Sequence, residues 1–299
     1  MSKYLKMQSN VFVFISIIAI IYSYFMVDKF AKPSILSLIL VIAFFGVPHG
    51  SLDTLFAKKA FTLITKKEWL KFVCIYLLTS AVILIFWIYS PITFFITFLF
   101  FSALHFSDDI ANPKSTLLSF LYGFNIIILP SILHSNELTI LYGYLIDIKY
   151  STVIVEVMKP LAISLLIFTS IATVVIHLNK LFDTTKRQLM EIAVVSLLFL
   201  SVRPLLAFTI YFCLMHSARH ILRAKFYFKS YPIRTLLLTL VVPTCFVVLF
   251  CAFFIMILPS QKIGENLIKV TFATLAALTF PHAFLLIKIG FLKWVKFNS

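Results

Sequence analysis

Five of the seven histidines in this chain, His49, His105, His216, His220 and His282, fall within or at the ends of long apolar runs. Ionisable side chains are costly in hydrocarbon and are kept there for ion paths, proton relays or metals. His216 and His220 stand four apart in His216-Ser217-Ala218-Arg219-His220, a spacing that stacks both imidazoles on one helix face, within reach of one ion. A single HxxxH is a weak signal. His49 and His105 are each followed four residues on by an acid, Asp53 and Asp109, the latter beside Asp108. A carboxylate one turn away can accept the second imidazole N–H and fix the ring. These acids sit near carboxyl ends of helices, where the dipole disfavours negative charge, so something must offset that cost. An all-nitrogen set of neutral imidazoles suits one iron(II), copper or zinc ion.

The elements that must position these residues are set by composition. Of 299 residues, 62% are hydrophobic and 12% charged, and mean hydropathy is +1.05, which excludes an ordinary water-soluble domain. The apolar runs are continuous rather than alternating, so the spans are helices and not barrel strands. Windows matched to the hydrocarbon thickness give an all-α, polytopic bundle of about ten membrane helices (eight to ten). These lie at roughly 11 to 27, 34 to 56, 69 to 89, 91 to 106, 115 to 133, 160 to 178, 188 to 202, 204 to 222, 234 to 258 and 265 to 290. Arg203-Pro204 splits the stretch from 188 to 222 into two spans. Residues 134 to 159 mix polar and apolar types and suit an interfacial helix or a covering loop. Without a visible repeat or Gly/Ser linker, residues 1 to 299 read as a single integral-membrane domain.

A net charge of +15 could suggest nucleic acid, but its distribution along the spans says otherwise. With ten spans, the side holding the N-terminus collects 18 of the 26 Lys and Arg, among them Lys58, Lys59, Lys114, Lys180, Lys225, Lys288, Lys293 and Lys296. The other side receives seven, including Lys29, Lys32, Lys149 and Arg203. That asymmetry places both termini in the cytoplasm of a multi-pass cell (inner) membrane protein, with affinity for anionic lipid and no nucleic-acid partner. The first apolar run continues to Val27 and is followed by Asp28-Lys29 without a cleavage signal, so it is expected to stay as an anchor. Cys74, Cys213, Cys245 and Cys251 lack metal or disulfide spacing and are expected to be small buried hydrophobes.

Topology also fixes depth. His49, His105, the His216/His220 pair and His282 lie late in the second, fourth, eighth and tenth helices, all running toward the cytoplasm. Five histidines therefore converge on one half of the membrane, although depth was not used to draw the spans. His134 and His177 fall outside that set as interface residues. Arg219 between two of the five must be paired if buried, and Asp53, Asp108 or Asp109 is the expected partner. Such a constellation could hold a non-haem metal; it could also serve a transporter relay, with neither inverted repeats nor Gly-rich broken helices in evidence, or a membrane cytochrome with haem between facing histidines.

Pro48-His49-Gly50-Ser51-Leu52-Asp53, His105-Phe106 with acids following, Tyr211-Phe212 leading into His216-Ser217-Ala218-Arg219-His220, and Pro281-His282 together resemble the Brp/Blh family of integral-membrane β-carotene 15,15′-dioxygenases. The resemblance covers residues 45 to 285 approximately; Ser107 stands where the family's glycine is expected after His-Phe. It implies an oxidoreductase that cleaves β-carotene at its central double bond with O2, giving two retinal molecules for a downstream retinal-binding rhodopsin. It further implies Fe(II) as the cofactor, His49, His105, His216 and His220 as catalytic metal ligands, and His282 as a fifth ligand or a pocket residue. A C40 polyene requires an apolar, aromatic tunnel. Phe106, Tyr211 and Phe212, together with Phe44, Phe45, Phe100 and Phe101, are the aromatic residues near the histidines that could line it.

Overall fold

In a computed structural model, residues 2–25, 33–110, 116–179, 186–259 and 262–291 are described. Among them the secondary structure is helical, with no strand. In chain order the helices are α1 (Ser2–Phe25), α2 (Ile35–Phe61), α3 (Lys66–Tyr89), α4 (Pro91–Ser107), α5 (Thr116–Leu133), α6 (Ser135–Gly143), α7 (Ile148–Leu178), α8 (Lys186–Ser201), α9 (Pro204–Tyr227), α10 (Ile233–Ile257) and α11 (Ile263–Lys288). Eight are long and apolar enough to cross a membrane, and α4 is a shorter apolar helix. The protein is a helical membrane bundle. The Asp28-Lys29 exit from the first span, and Lys32, Lys114, Lys180, Lys293 and Lys296 of the charge pattern, lie outside the described residues.

Local chemistry explains the boundaries. Thr65 caps α3 in a reciprocal box, its side chain accepting from the Glu68 N–H while Glu68 accepts from the Thr65 N–H at 2.8 Å, which satisfies two otherwise orphaned donors. Pro91 and Pro204 occupy first turns, where the missing N–H costs nothing. The extended ψ of 137° at Arg203 separates α8 from α9 as expected. The expectation fails at 148 to 159, which joins α7 rather than forming a loop. Asp147 starts that helix by accepting from the Lys149 N–H at 2.8 Å, and the chain runs helically through Pro160. Ser151, Val155, Met158 and Ala162 form a buried stripe whose packing outweighs the rung lost at the proline. The rest of the 134 to 159 segment supplies α6.

Two features bring helices close enough to build a site. A side chain at Gly123 of α5 would place its Cβ 2.0 Å from the Ala103 carbonyl oxygen of α4, so glycine permits the contact that holds the His105 helix. Asn125 of α5 donates at 3.2 Å to both Thr169 of α7 and Ser196 of α8, polar bonds that join three helices inside an apolar bundle. All four cysteines are free; the expected burial holds for Cys213 and fails for Cys74 and Cys245, which are exposed. Their helix faces point outward from the bundle, where an apolar thiol is tolerated.

Candidate metal centre

Two of the helices that carry the histidines are wound more widely just before or at those residues. Residues Ile42–Gly46 of α2 and Tyr211–Ser217 of α9 are π-helical, and the two segments pack against each other. In α2 the Val47 N–H reaches back five residues to the Ile42 carbonyl at 2.9 Å; Pro48, which has no N–H, follows at once. Such wide turns re-aim side chains and cluster at functional sites. Gly46 lies beneath the Phe212 ring, where an added Cβ would come within 2.5 Å of two ring carbons. A glycine is needed for the two segments to meet.

All five apolar-run histidines come together. Ring centroids lie 4.8 Å apart for His49 and His216, 4.7 Å for His105 and His216, 5.3 Å for His49 and His282, 5.4 Å for His105 and His282, and 5.2 Å for His220 and His282. His49, His105 and His282 each offer a ring nitrogen within 4.8 Å of the other two, close enough to hold a metal ion. His282 thus stands among the central residues rather than at their margin. His134 caps the end of α5, and His177 is exposed near the end of α7; neither has a ring contact with the five among the described residues.

Hydrogen bonds orient the rings. His282 donates from Nδ1 to Asp53 at 2.6 Å, His216 from Nδ1 to Asp109 at 3.0 Å, and His49 from Nδ1 to the Gly46 carbonyl at 2.6 Å. A carboxylate or carbonyl oxygen can only accept, so Nδ1 carries the proton and Nε2 keeps its lone pair. The buried Nε2 atoms of His216, His220 and His282 have no hydrogen-bond partner among the described residues. Buried polar atoms are rarely left unpaired. A ring held through its Nδ1–H with a bare, buried Nε2, as at His216 and His282, fits a bound metal cation.

The acids serve across helices and not along them. Asp53 and Asp109 were expected to hold His49 and His105, one turn earlier on the same helices; instead they hold His282 of α11 and His216 of α9. Side chains on a helix tilt toward its N-terminus, so the His49 ring reaches back to Gly46 and away from Asp53. Asp53 also accepts from the Tyr76 hydroxyl of α3 at 2.7 Å, and Asp109 from the Tyr211 hydroxyl. Burial works against the Asp109 carboxylate, but the His216 N–H, the Tyr211 hydroxyl and the nearby Arg223 guanidinium hold it in place. These contacts offset the cost of placing an acid at a helix carboxyl end.

Arg219 is buried and paired, but not with the side chain of Asp53, Asp108 or Asp109. It forms a two-pronged pair with Glu191 of α8, at 2.7 and 3.0 Å, and donates from Nε to Gln8 of α1 at 3.0 Å. Adjacent residues on a helix point in different directions, so Arg219 faces α1 and α8 while His220 faces the histidines. The 108–109 turn receives guanidinium bonds through its backbone: Arg219 and Arg223 both donate to the Asp109 carbonyl, and Arg223 to that of Asp108. The Asp109 carboxylate is left to hold His216. Gln8 also donates to the Leu214 carbonyl at 2.6 Å, inside the wide turn of α9.

One apolar cavity of about 800 Å³ opens beside the cluster, with His49, His105, His216 and His282 in its wall. The volume lies in the upper part of the ~300–1,000 Å³ range of ligand pockets. Phe106 and Phe212 line it, with Phe95, Phe98, Phe208 and Phe272. Tyr211 is fully buried and does not line it; its hydroxyl is engaged by Asp109. Phe44, Phe45, Phe100 and Phe101 do not line it either, and are exposed on the outside of the bundle.

Replacing Asp53 or Asp109 by asparagine keeps the shape and removes the carboxylate that fixes a ring. Each change is expected to lower metal affinity about 10–100-fold, checked by titrating metal into the stripped protein; unchanged affinity would dismiss the orienting role.

Tyr76, Glu191, Gln8, Gly46 and Arg223 went unremarked in the sequence. Glu191 carried a usable signal, an acid within an otherwise apolar span, which must have a partner.

A family model described as beta-carotene 15,15′-dioxygenase matches residues 40–289. A protein named beta-carotene 15,15′-dioxygenase from uncultured marine bacterium 66A03 is 25% identical over 260 residues, covering 82% of this chain and 90% of that protein. No solved structure matches. The matched stretch begins ahead of the wide turn at Ile42–Gly46 and ends beyond His282, so it contains all five clustered histidines and both acids that orient them, and the chain belongs to the beta-carotene 15,15′-dioxygenase family.

Proposed function

We propose that this protein cleaves β-carotene at its central 15,15′ double bond with O2, each new carbonyl taking one oxygen atom, to give two molecules of retinal. The observation that carries this reading is a cluster of five buried histidines, four of which, His49, His105, His216 and His282, stand in the wall of an aromatic cavity about 800 Å³ in volume. His49, His105, His216 and His220 are assigned as ligands of an Fe(II) ion, and His282 joins them on the strength of its place beside His49 and His105. Bound iron supplies the activation of O2 that a hydrocarbon and side chains cannot provide.

The chain's own residues do the rest. Asp53, Asp109 and the Gly46 carbonyl hold the imidazoles in one tautomer, with Nε2 directed at the centre. Phe106, Phe208, Phe212 and Phe272 offer flat apolar surface to a polyene and keep water from the reacting bond. A polyene needs neither a general base nor an anion site, and the cavity wall is accordingly aromatic and aliphatic over most of its extent. That wall disfavours a transporter relay, which needs a polar path. The charge asymmetry supports a cell-membrane protein with both termini on the cytoplasmic side, the histidines nearer that face and retinal released for an opsin-type acceptor.

The direct test is expression in a bacterial host that accumulates β-carotene, with chromatography of extracted pigments. Loss of carotene matched by two equivalents of retinal is the expected result. Unchanged carotene despite iron-loaded protein in the membrane would refute the activity.

A further inference from the structure

The cavity is not fully enclosed, and part of its wall is formed by side chains exposed on the apolar exterior of the bundle. Of the eight long apolar helices, α3 and α10 are the two least embedded in the bundle. Both flank α11, which carries His282. Each lends a row of residues to the cavity wall: Phe72, Val73, Tyr76, Leu77, Ser80 and Ala81 from α3, and Val242, Pro243, Phe246, Val247 and Phe250 from α10.

Several of these residues belong to the cavity and the exterior at once. Val242 is 62% exposed, Phe246 61% and Leu77 48%, and Val73 and Phe250 are also exposed. Side chains that line an internal cavity while this much of them is accessible mark its mouth. Phe106, on the opposite wall, is 5% exposed. The mouth lies along an apolar flank of the bundle, where the surrounding phase is acyl chain rather than water.

The neighbouring bonds limit this gap at the histidine end. Tyr76 of α3 is tied to Asp53, and Thr244 of α10 is tied to Ser51 at 2.8 Å. Both bonds anchor to residues just after His49. Along the rows from there, Ser80 and Ala81 present small side chains on α3, and Pro243 removes the N–H that would bond to the Thr239 carbonyl. One side of the gap is therefore low in bulk, and the other has a backbone rung missing at the level of the cavity.

We infer that the gap between α3 and α10 is a lateral portal through which the polyene passes between the acyl-chain region and the cavity, with Phe246 and Phe250 as its aromatic rim. The inference rests on the carotenoid reading of the cavity and adds where and through which residues the substrate enters. Exit into water would strip a C40 hydrocarbon of an apolar environment, at about 25 cal/mol for each Å² exposed. A lipid-facing portal avoids that transfer.

The test measures uptake and chemistry separately, in proteoliposomes of the full chain. Under anaerobic conditions, β-carotene is transferred from donor vesicles and its arrival in the protein is followed by the shift of its visible spectrum; O2 is then admitted and retinal is measured in a single turnover. Leu77→Trp combined with Val242→Trp, at the mouth, is expected to slow uptake at least tenfold. Carotene already bound should also leave for empty acceptor vesicles more slowly, by a similar factor, because a portal serves both directions. Phe246→Ala, which widens the rim, should speed uptake. Leu78→Trp and Leu249→Trp, exposed positions outside the cavity wall, should leave it within twofold.

Uptake unchanged in the double tryptophan variant would overturn the portal. So would exit that becomes faster while uptake slows, because that would mark weaker binding in the cavity rather than a blocked path. Wild-type protein that takes up carotene at a rate governed by these positions, yet yields no retinal, would refute the cleavage reading and leave the portal standing. Absence of uptake by wild type would overturn it.

Discussion

Alanine in place of His282 is expected to abolish carotene cleavage and to strip most of the iron from the purified protein. The ring lies 5.2–5.4 Å, centroid to centroid, from those of His49, His105 and His220. Its Nδ1–H is fixed on Asp53, and its Nε2 is buried without a hydrogen-bond partner among the described residues. Removing a merely orienting partner typically costs about 10–100-fold; removing the ligand itself, and leaving Asp53 buried without its imidazole, should exceed that. Metal analysis and retinal yield from the same preparation check it. His282→Ala with normal iron and normal turnover would place His282 outside the centre. His134→Ala and His177→Ala, distant in the fold from the five, should retain most activity and serve as controls for insertion.

The difference between what could and could not be read in the sequence has a physical basis. Hydrocarbon thickness fixes span length, span length fixes depth, and depth put His49, His105, His216, His220 and His282 at one level before any fold was known. Continuous apolar runs likewise required helices. Which acid meets which ring depends instead on helix rotation and on side-chain tilt. Asp53 therefore crosses to His282, and Asp109 to His216, although each follows another histidine by one turn. The wide turns at Ile42–Gly46 and Tyr211–Ser217 leave no trace in hydropathy, since a π turn keeps the same apolar composition. The span expected from 160 starts earlier because the buried stripe around Pro160 sustains α7 as one helix from Ile148. Gln8 precedes the first apolar run, and only the extension of α1 back to Ser2 brings it to Arg219.

That last contact shows how support for the centre is distributed. Gln8 belongs to α1, ahead of the residues matched by the family model, yet it joins the Arg219 guanidinium to the Leu214 carbonyl inside the wide turn that presents His216. Glu191 holds the same guanidinium from α8, and Arg219 in turn holds the backbone of the Asp109 turn. Three segments far apart in sequence thus meet in a buried polar layer next to the histidines. An apolar bundle whose helices could slide or rotate at low cost acquires one register through such bonds.

Glu191→Ala is accordingly expected to be the most destabilising single change away from the histidines. Glu191 is 3% exposed and Arg219 5%, so the substitution leaves a guanidinium in an apolar interior with its two-pronged partner gone. Breaking a buried pair from one side typically costs about 3–5 kcal/mol, because the remaining charge is uncompensated. Thermal unfolding of the protein in detergent, compared with wild type, measures the loss. Glu191→Ala combined with Arg219→Leu removes both charges and fills part of the space, and should recover much of the stability. Activity should not recover with it, because the double variant still lacks the Arg219 bond to the Asp109 carbonyl, so the His216 ring would be less firmly placed. A single Glu191→Ala variant that unfolds like wild type would show that Arg219 finds another partner. A double variant restored in both stability and turnover would show that this layer holds the bundle together without positioning the metal centre.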